Sequence, residues 1–237
     1  MNLPYSINVQ VLRNDLFNLR NDFINARCVI HPYNILEINL LKELPLEKIR
    51  NDFEYLFQNE NNFIYPVNTS GLKGDTTIGS YRISTNSIEL ASYFTKVLNT
   101  FLTSDTEWND KYYNKVSSYF RFMKYENGGQ HFPHYDSNYK IPNTDKETTH
   151  SLVMYLDDCE DGELVFCHDN RQDLKERLAS HDIFQLDWNK QVTEEEIYFK
   201  FKPKAGSIII FPHELCHSVL PFTGEERRII RGDLIFE

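Results

Sequence analysis

Two residues in the segment YENGGQHFPHYD, Tyr125 to Asp136, have the types and the spacing for metal chemistry. His134 and Asp136 lie two positions apart, and in a β-strand residues two apart point to the same face. They converge on one ion provided the imidazole is neutral and the carboxylate ionised, which physiological pH satisfies. A second imidazole stands far downstream in GSIIIFPHELCHSVLPFTGEERRIIRGDLIFE, at His213 or His217. Two His and one carboxylate on one side of a metal leave its other positions open, the donor set of a non-haem Fe(II) centre that activates oxygen. A lone His-x-Asp also occurs innocently on surface strands, so the pair gains weight from its flanks. Gly128-Gly129 permits a tight turn into the strand, and Tyr125 closes the strand before it.

The stretch His213-Glu214-Leu215-Cys216-His217 also spells H-E-x-x-H, which on a helix puts two zinc ligands on one face with the Glu as base. Here it follows a strand-like run and Pro212, and Pro221 lies only four residues past His217. Proline disfavours helix at itself and just before itself, which leaves little room for the long helix a zinc metalloprotease needs. His217 is therefore the expected partner of His134 and Asp136, with His213 structural or hydrogen-bonded nearby. Further on, Arg227, Ile229, Arg231 and Asp233 share one face of a strand, and Arg228, Ile230, Gly232 and Leu234 the other. A guanidinium among apolar residues needs an anion, and its fork suits a carboxylate. A dicarboxylate chelating a metal at one end would meet Arg227 at the other. Arg231 reads as a surface residue or as a partner of Asp233.

The elements that must position these groups fall into two halves. From Pro45, Ile49, Phe53, Leu56 and Phe57 follow the spacing of an amphipathic helix. A second helix starts at Asn86-Ser87-Ile88-Glu89, a capping box with Asn86 as N-cap, and its core face is Leu90, Phe94, Val97, Leu98 and Phe101. Residues 68–75, with two Gly, read as loop. After about Lys115 the runs SSYFRFMKY, HSLVMYL, ELVF, YFKFK, GSIIIF and RRIIRGDLIF are short, β-branched or aromatic, and bounded by turn residues. Strands at this density read as a sandwich or barrel. The expected architecture is one α+β domain over 1–237, with 1–115 a mainly helical support and 116–237 a β-rich catalytic core. The polar stretch 168–200 reads as an insertion, either a solvated loop with a short helix or a lid.

The chain has 237 residues and a formal net charge of −10, 35 acidic side chains against 25 basic. That balance argues against nucleic-acid partners, whose phosphates need a basic footprint. No apolar stretch reaches the ~20 residues that span a bilayer, and no basic n-region followed by an apolar h-region marks a secretory signal. The four Cys form no C-x-x-C pair and read as thiols of a reducing compartment. A cytoplasmic location is the default expectation.

Taken together, these segments resemble the Fe(II)- and 2-oxoglutarate-dependent dioxygenases, and within them the prolyl 4-hydroxylase-like group. YENGGQHFPHYD resembles its Tyr-x-x-Gly-Gln…His-x-Asp signature. HSLVMYLDDCEDGELVF resembles the following strands, with Asp161 in place of the first of two Gly. HSVLPFTGEERR resembles the segment of the distal His and the basic anchor, with Gly224 one residue early. The resemblance covers roughly 116–237 and implies a double-stranded β-helix, a distorted jelly roll on a helical support. It implies Fe(II) held by His134, Asp136 and His217. It implies 2-oxoglutarate anchored by Arg227 with help from Tyr155 and Tyr125, and O2 as the other cosubstrate, with ascorbate a further candidate. The reaction implied is oxidative decarboxylation of 2-oxoglutarate to succinate and CO2, coupled to hydroxylation of a C–H bond. A prolyl residue of a protein or peptide is the implied substrate, with a free amino acid or small metabolite as the alternative. A zinc metalloprotease, or a binding protein on the same fold without turnover, are the readings from other classes.

Overall fold

The computed structural model describes residues 26–40, 46–59, 65–66, 77–102, 107–108, 111–141, 143–169 and 190–236. In chain order its elements are β1 (Ala26–His31), β2 (Ile35–Leu40), α1 (Leu46–Asn59), β3 (Tyr65–Pro66), β4 (Thr77–Asn86), α2 (Ile88–Leu98), β5 (Glu107–Trp108) and β6 (Lys111–Val116). The second half adds β7 (Tyr119–His134), β8 (Tyr139–Lys140), β9 (Glu147–Tyr155), β10 (Leu164–Cys167), β11 (Ile197–Phe201), β12 (Ser207–Pro212), β13 (His217–Val219) and β14 (Glu226–Phe236). The expected loop over 68–75 and residues 170–189 of the expected insertion lie outside the described residues. Of that insertion, Glu194–Glu196 forms a single 3-10 turn and Ile197–Phe201 is a strand paired with β10.

The strands form one curled antiparallel sheet whose main path runs β1-β2-β12-β9-β14-β7-β13-β10-β11. Strand alternation sorts the core into two layers. Leu152 and Met154 of β9, Ile208 and Ile210 of β12, and Ile230 and Leu234 of β14 face outward, onto Phe53 and Leu56 of α1 and Phe94 and Val97 of α2. Val153 and Tyr155, Ile209 and Phe211, and Ile229 face inward with Leu164 and Phe166 of β10. Residues of successive parity thus serve two different cores, as a pleated sheet buried on both faces requires. The outward layer anchors the helices, and the inward layer walls the site.

Helix α1 buries the four residues that the sequence spacing singles out, Ile49, Phe53, Leu56 and Phe57. Helix α2 is capped by Ser87 rather than Asn86, because the Ser87 hydroxyl accepts the Leu90 amide. Its buried face is Leu90, Ala91, Phe94, Val97 and Leu98, while Phe101 lies past its end, partly buried. The reading of 1–115 as mainly helical needs correction. β4 pairs with β7 over most of its length, β2 pairs with β12, and β6 with β14, so the first half also supplies strands to the common sheet. Their short amphipathic runs are completed by partners distant in sequence, which local periodicity does not register. No helix among the described residues is long and apolar enough to cross a membrane.

His150, buried on β9, gives the fold a pH dependence. Burial, together with His213, lowers its pKa to about 3, against ~6.5 for an unfolded His. Between those values only the unfolded chain takes the proton. Stability is therefore full above ~6.5 and falls as pH drops through that window, by up to about 1.4 kcal/mol per pH unit. Urea unfolding of His150→Leu as a function of pH should show a shallower acid limb than the parent protein; an unchanged slope would contradict this account.

Candidate metal centre

β7 is continuous from Tyr119 to His134, so Gly128-Gly129 is not the tight turn expected from sequence, and Tyr125 lies within the strand rather than at its end. The two glycines form a bulge, Gly128 at φ +82, clasped by backbone bonds between Gly128 and Phe222 and between Phe222 and Gly129. A Cβ on Gly129 would stand 2.7 Å from the carbonyl oxygens of Glu126 and Gly79. Only glycine permits that approach of β4 to β7. Nearer the strand end, His217 of β13 pairs with His134 and Val219 with His131. Three residues of β13, 217–219, thus span four of β7, 131–134, which turns His131 and His134 to one side, their rings stacked at 3.7 Å.

His134, Asp136 and His217 come together here. One ligand atom from each lies within 4.8 Å of the others. The His134 Nδ1–H donates to the Phe132 carbonyl at 2.8 Å and the His217 Nδ1–H to the Leu215 carbonyl at 2.9 Å. A carbonyl can only accept, so both rings carry the proton on Nδ1 and keep the Nε2 lone pair free. Those Nε2 atoms face the Asp136 carboxylate at 3.9 Å and 3.6 Å. Asp136 sits just past the strand, held by its backbone N–H to the His213 carbonyl at 3.2 Å. Burial, with His217 beside it, lowers the His134 pKa to about 3, and burial lowers that of His217 as well. Burial would raise the Asp136 pKa, but Arg231 and the two His outweigh it and hold it well below the usual carboxylate range. Two neutral imidazoles and one carboxylate, each with a free lone pair turned inward, fit a divalent metal.

His213 does not join this group. It stands in the turn after β12, with Nδ1 2.9 Å from Asn138 Oδ1 and Nε2 3.3 Å from Asp233 Oδ1. The H-E-x-x-H residues are a turn and the start of a strand, not a helix, so they lack the geometry of a zinc protease site.

The three arginines separate clearly. Arg228 is paired with Asp157 at 2.6 Å and Glu54 at 3.0 Å, tying β14 to α1. Arg231 lies 2.6 Å from Asp136, closer than its expected partner Asp233 at 3.8 Å. Arg227, 1% exposed, has no carboxylate partner among the described residues. Its Nη1 donates to the Gly162 carbonyl, its Nε has no partner, and its Cζ lies 4.5 Å from the centre of the Tyr125 ring. A buried guanidinium with an orphaned N–H fits the far carboxylate of a dicarboxylate. The DG pair explains itself here. Gly162 (φ +73) must be glycine, because a Cβ would meet Arg227 Nη1 at 2.5 Å. Asp161 has no such constraint and instead accepts from the Thr223 amide and hydroxyl. Tyr125 and Tyr155 are buried beside Arg227, and burial raises the pKa of both phenols, so both remain protonated donors. With Arg227 packed on its Tyr125 wall rather than in its lining, a cavity opens beside this site, lined by Tyr125, Tyr155, His134 and His217, and also by His131 and Arg82. Sequence reasoning missed the last two. His131 is three residues from His134, off the strand period, and Arg82 belongs to a strand of the first half.

Residues 120–232 match the sequence model of the 2OG-Fe(II) oxygenase superfamily. The match spans most of the strand-rich half of the chain. Enzymes of that superfamily use Fe(II), with 2-oxoglutarate and O2 as cosubstrates. No curated protein sequence matches the chain. Among solved structures, the chain is similar to a prolyl hydroxylase from Trichoplax adhaerens in complex with a hypoxia inducible factor peptide fragment. The identity is 13% over 86% of this chain and 84% of that one, with a TM-score of 0.55. It is also similar to a Pseudomonas putida prolyl-4-hydroxylase, at 16% identity over 81% of this chain and 87% of that one, with a TM-score of 0.48. The first likeness bears out the double-stranded β-helix expected of the oxygenase superfamily.

Two substitutions test this geometry. Gly162→Ala forces a left-handed backbone on a residue with a Cβ and should lower stability by about 1–3 kcal/mol, read by thermal unfolding. Glu214→Gln should leave 2-oxoglutarate turnover unchanged, since Glu214 has no part in the metal group; a large loss of activity would revive the H-E-x-x-H reading.

Proposed function

We propose that the protein is a hydroxylase that uses Fe(II) and 2-oxoglutarate to oxidise a C–H bond of a prolyl residue in a protein or peptide. His134, Asp136 and His217 hold the metal, and Arg227, with Tyr155 and Tyr125, holds the far carboxylate of 2-oxoglutarate. The observation that carries this reading is the presence of two features at one cavity, whose lining includes His134, His217 and the Tyr125 on which Arg227 packs. One is a His-Asp-His group with its lone pairs turned inward, and the other is a buried Arg227 with no anion of its own. When bound, the metal and its cosubstrate supply the oxidative chemistry. The chain does the rest. The Phe132 and Leu215 carbonyls hold the imidazoles in one tautomer. The inward layer of Val153, Ile209, Phe211 and Ile229 keeps water from the reacting face. Tyr155 lends a phenolic donor beside Arg227.

The peptide in the Trichoplax complex supports a peptidyl substrate. Arg82 in the cavity wall favours a second reading, a free amino acid or small metabolite whose carboxylate that guanidinium would meet.

Anaerobic addition of Fe(II) and 2-oxoglutarate should produce a visible metal-to-ligand charge-transfer band. His134→Ala should lose the band and succinate formation while its circular dichroism is retained. Arg227→Met should raise the KM for 2-oxoglutarate by about 30-fold or more, since a truncated buried charge pair costs roughly 2–5 kcal/mol. Mass spectrometry of proline-containing peptides against a panel of free amino acids then decides the substrate, and gain of an oxygen atom only by the latter would sink the peptidyl reading.

A further inference from the structure

Asp136 is gripped from behind by groups that the family signature does not include. Arg231 Nη2 lies 2.6 Å from Asp136 Oδ1 and donates to Ser151 Oγ at 3.1 Å. Ser151 in turn donates to Asp136 Oδ2. Both carboxylate oxygens are therefore tied, one to the guanidinium and one to the hydroxyl, and those two groups are tied to each other. Arg231 is itself backed by Asp233, 1% exposed, whose Oδ1 lies 3.8 Å away. The other oxygen of Asp233 accepts from Arg121 Nη1 at 3.0 Å. The chain of contacts runs Asp136–Arg231–Asp233–Arg121, two acids alternating with two bases, across β14 and β7. Arg231 stands opposite Arg121 in the ladder between those strands and opposite Val153 in the ladder with β9.

We propose that Arg231 is a positioning residue for the metal centre, that it fixes the Asp136 carboxylate in the one orientation that meets the two Nε2 lone pairs, and that Asp233 and Arg121 hold Arg231 in place. Resting on the reading of His134, Asp136 and His217 as metal ligands, the argument is one of geometry and charge. A carboxylate just past a strand end has a free torsion, and nothing on its own element fixes which oxygen faces the imidazoles. The guanidinium removes that freedom. It also shares the negative charge with the metal, so two opposite effects follow from its presence. Orientation strengthens metal binding, and competition for the carboxylate weakens it. The double tie through Ser151 and the bracing by Asp233 favour orientation, because a mere competitor needs neither. Partners that orient a metal ligand typically contribute about 10–100-fold to metal affinity.

The test is Mn(II) titration of the full chain followed by electron paramagnetic resonance, on the parent protein, His134→Ala, Arg231→Met, Arg231→Lys and Asp233→Asn. Binding by the parent and its loss in His134→Ala establish the metal site; no binding by the parent overturns the site itself and this inference with it. With the site established, Arg231→Met should raise the Mn(II) Kd by about 10-fold or more and shift the charge-transfer band formed with Fe(II) and 2-oxoglutarate. Arg231→Lys should recover part of the affinity, since an ammonium reaches Asp136 but cannot fork to Ser151. Asp233→Asn should raise the Kd by a smaller factor. Should Arg231→Met fail to fold, the Lys and Asn variants carry the same comparison. Unchanged or tightened Mn(II) binding in the folded Arg231 variants, with only a lower melting temperature, would show a structural or competing role and overturn the proposal.

Discussion

His134 and His217 stand directly opposite one another where β7 meets β13, and the site depends on that pairing. Residues paired across antiparallel strands have Cβ atoms ~5 Å apart, close enough for both imidazoles to reach one ion. The carbonyls two residues upstream of each ring then choose its tautomer, and burial keeps both rings neutral. The same strand indexes the far end of the cavity. Tyr125 of β7 pairs with Arg227 of β14, so the separation of the His-Asp-His group from the guanidinium is written into β7 itself. The Gly128-Gly129 bulge lies between the two ends and sets how the strand bends from one to the other.

Charge accounts for which groups remain available. Arg121, Arg231, Asp136 and Asp233 neutralise one another, and Arg228 is satisfied by Asp157 and Glu54. Arg227 alone of the β14 arginines is buried against aromatic rings and a carbonyl without an acid. A buried ion without a counter-charge costs several kcal/mol, so the fold maintains this arrangement at the expense of stability. The far carboxylate of 2-oxoglutarate, in the function proposed above, would supply that counter-charge.

Much of this was legible in the chain. His134 and Asp136 are close in sequence, and Pro212 and Pro221 argue locally against a helix over His213–His217, as the structure bears out. The six strand runs of the second half match β7, β9, β10, β11, β12 and β14 in order. What escaped notice was non-local. The strands β2, β4 and β6 reveal themselves only beside β12, β7 and β14. The Ser87 cap depended on where β4 ends, since Asn86 is still in that strand and the helix starts only at Ile88. His131 joined the site through a one-residue register shift, and Arg231 found Asp136 as well as Asp233, and closer.

Residue chemistry and short-range spacing, then, determined by themselves which groups are able to bind a metal and a carboxylate, because donor type and strand period are properties of a few neighbouring residues. The tertiary structure decided which of three arginines is left without an acid, which imidazoles share a face, and what holds Asp136. Each of those depends on register between strands far apart in the chain, where a shift of one residue reverses the face that a side chain occupies.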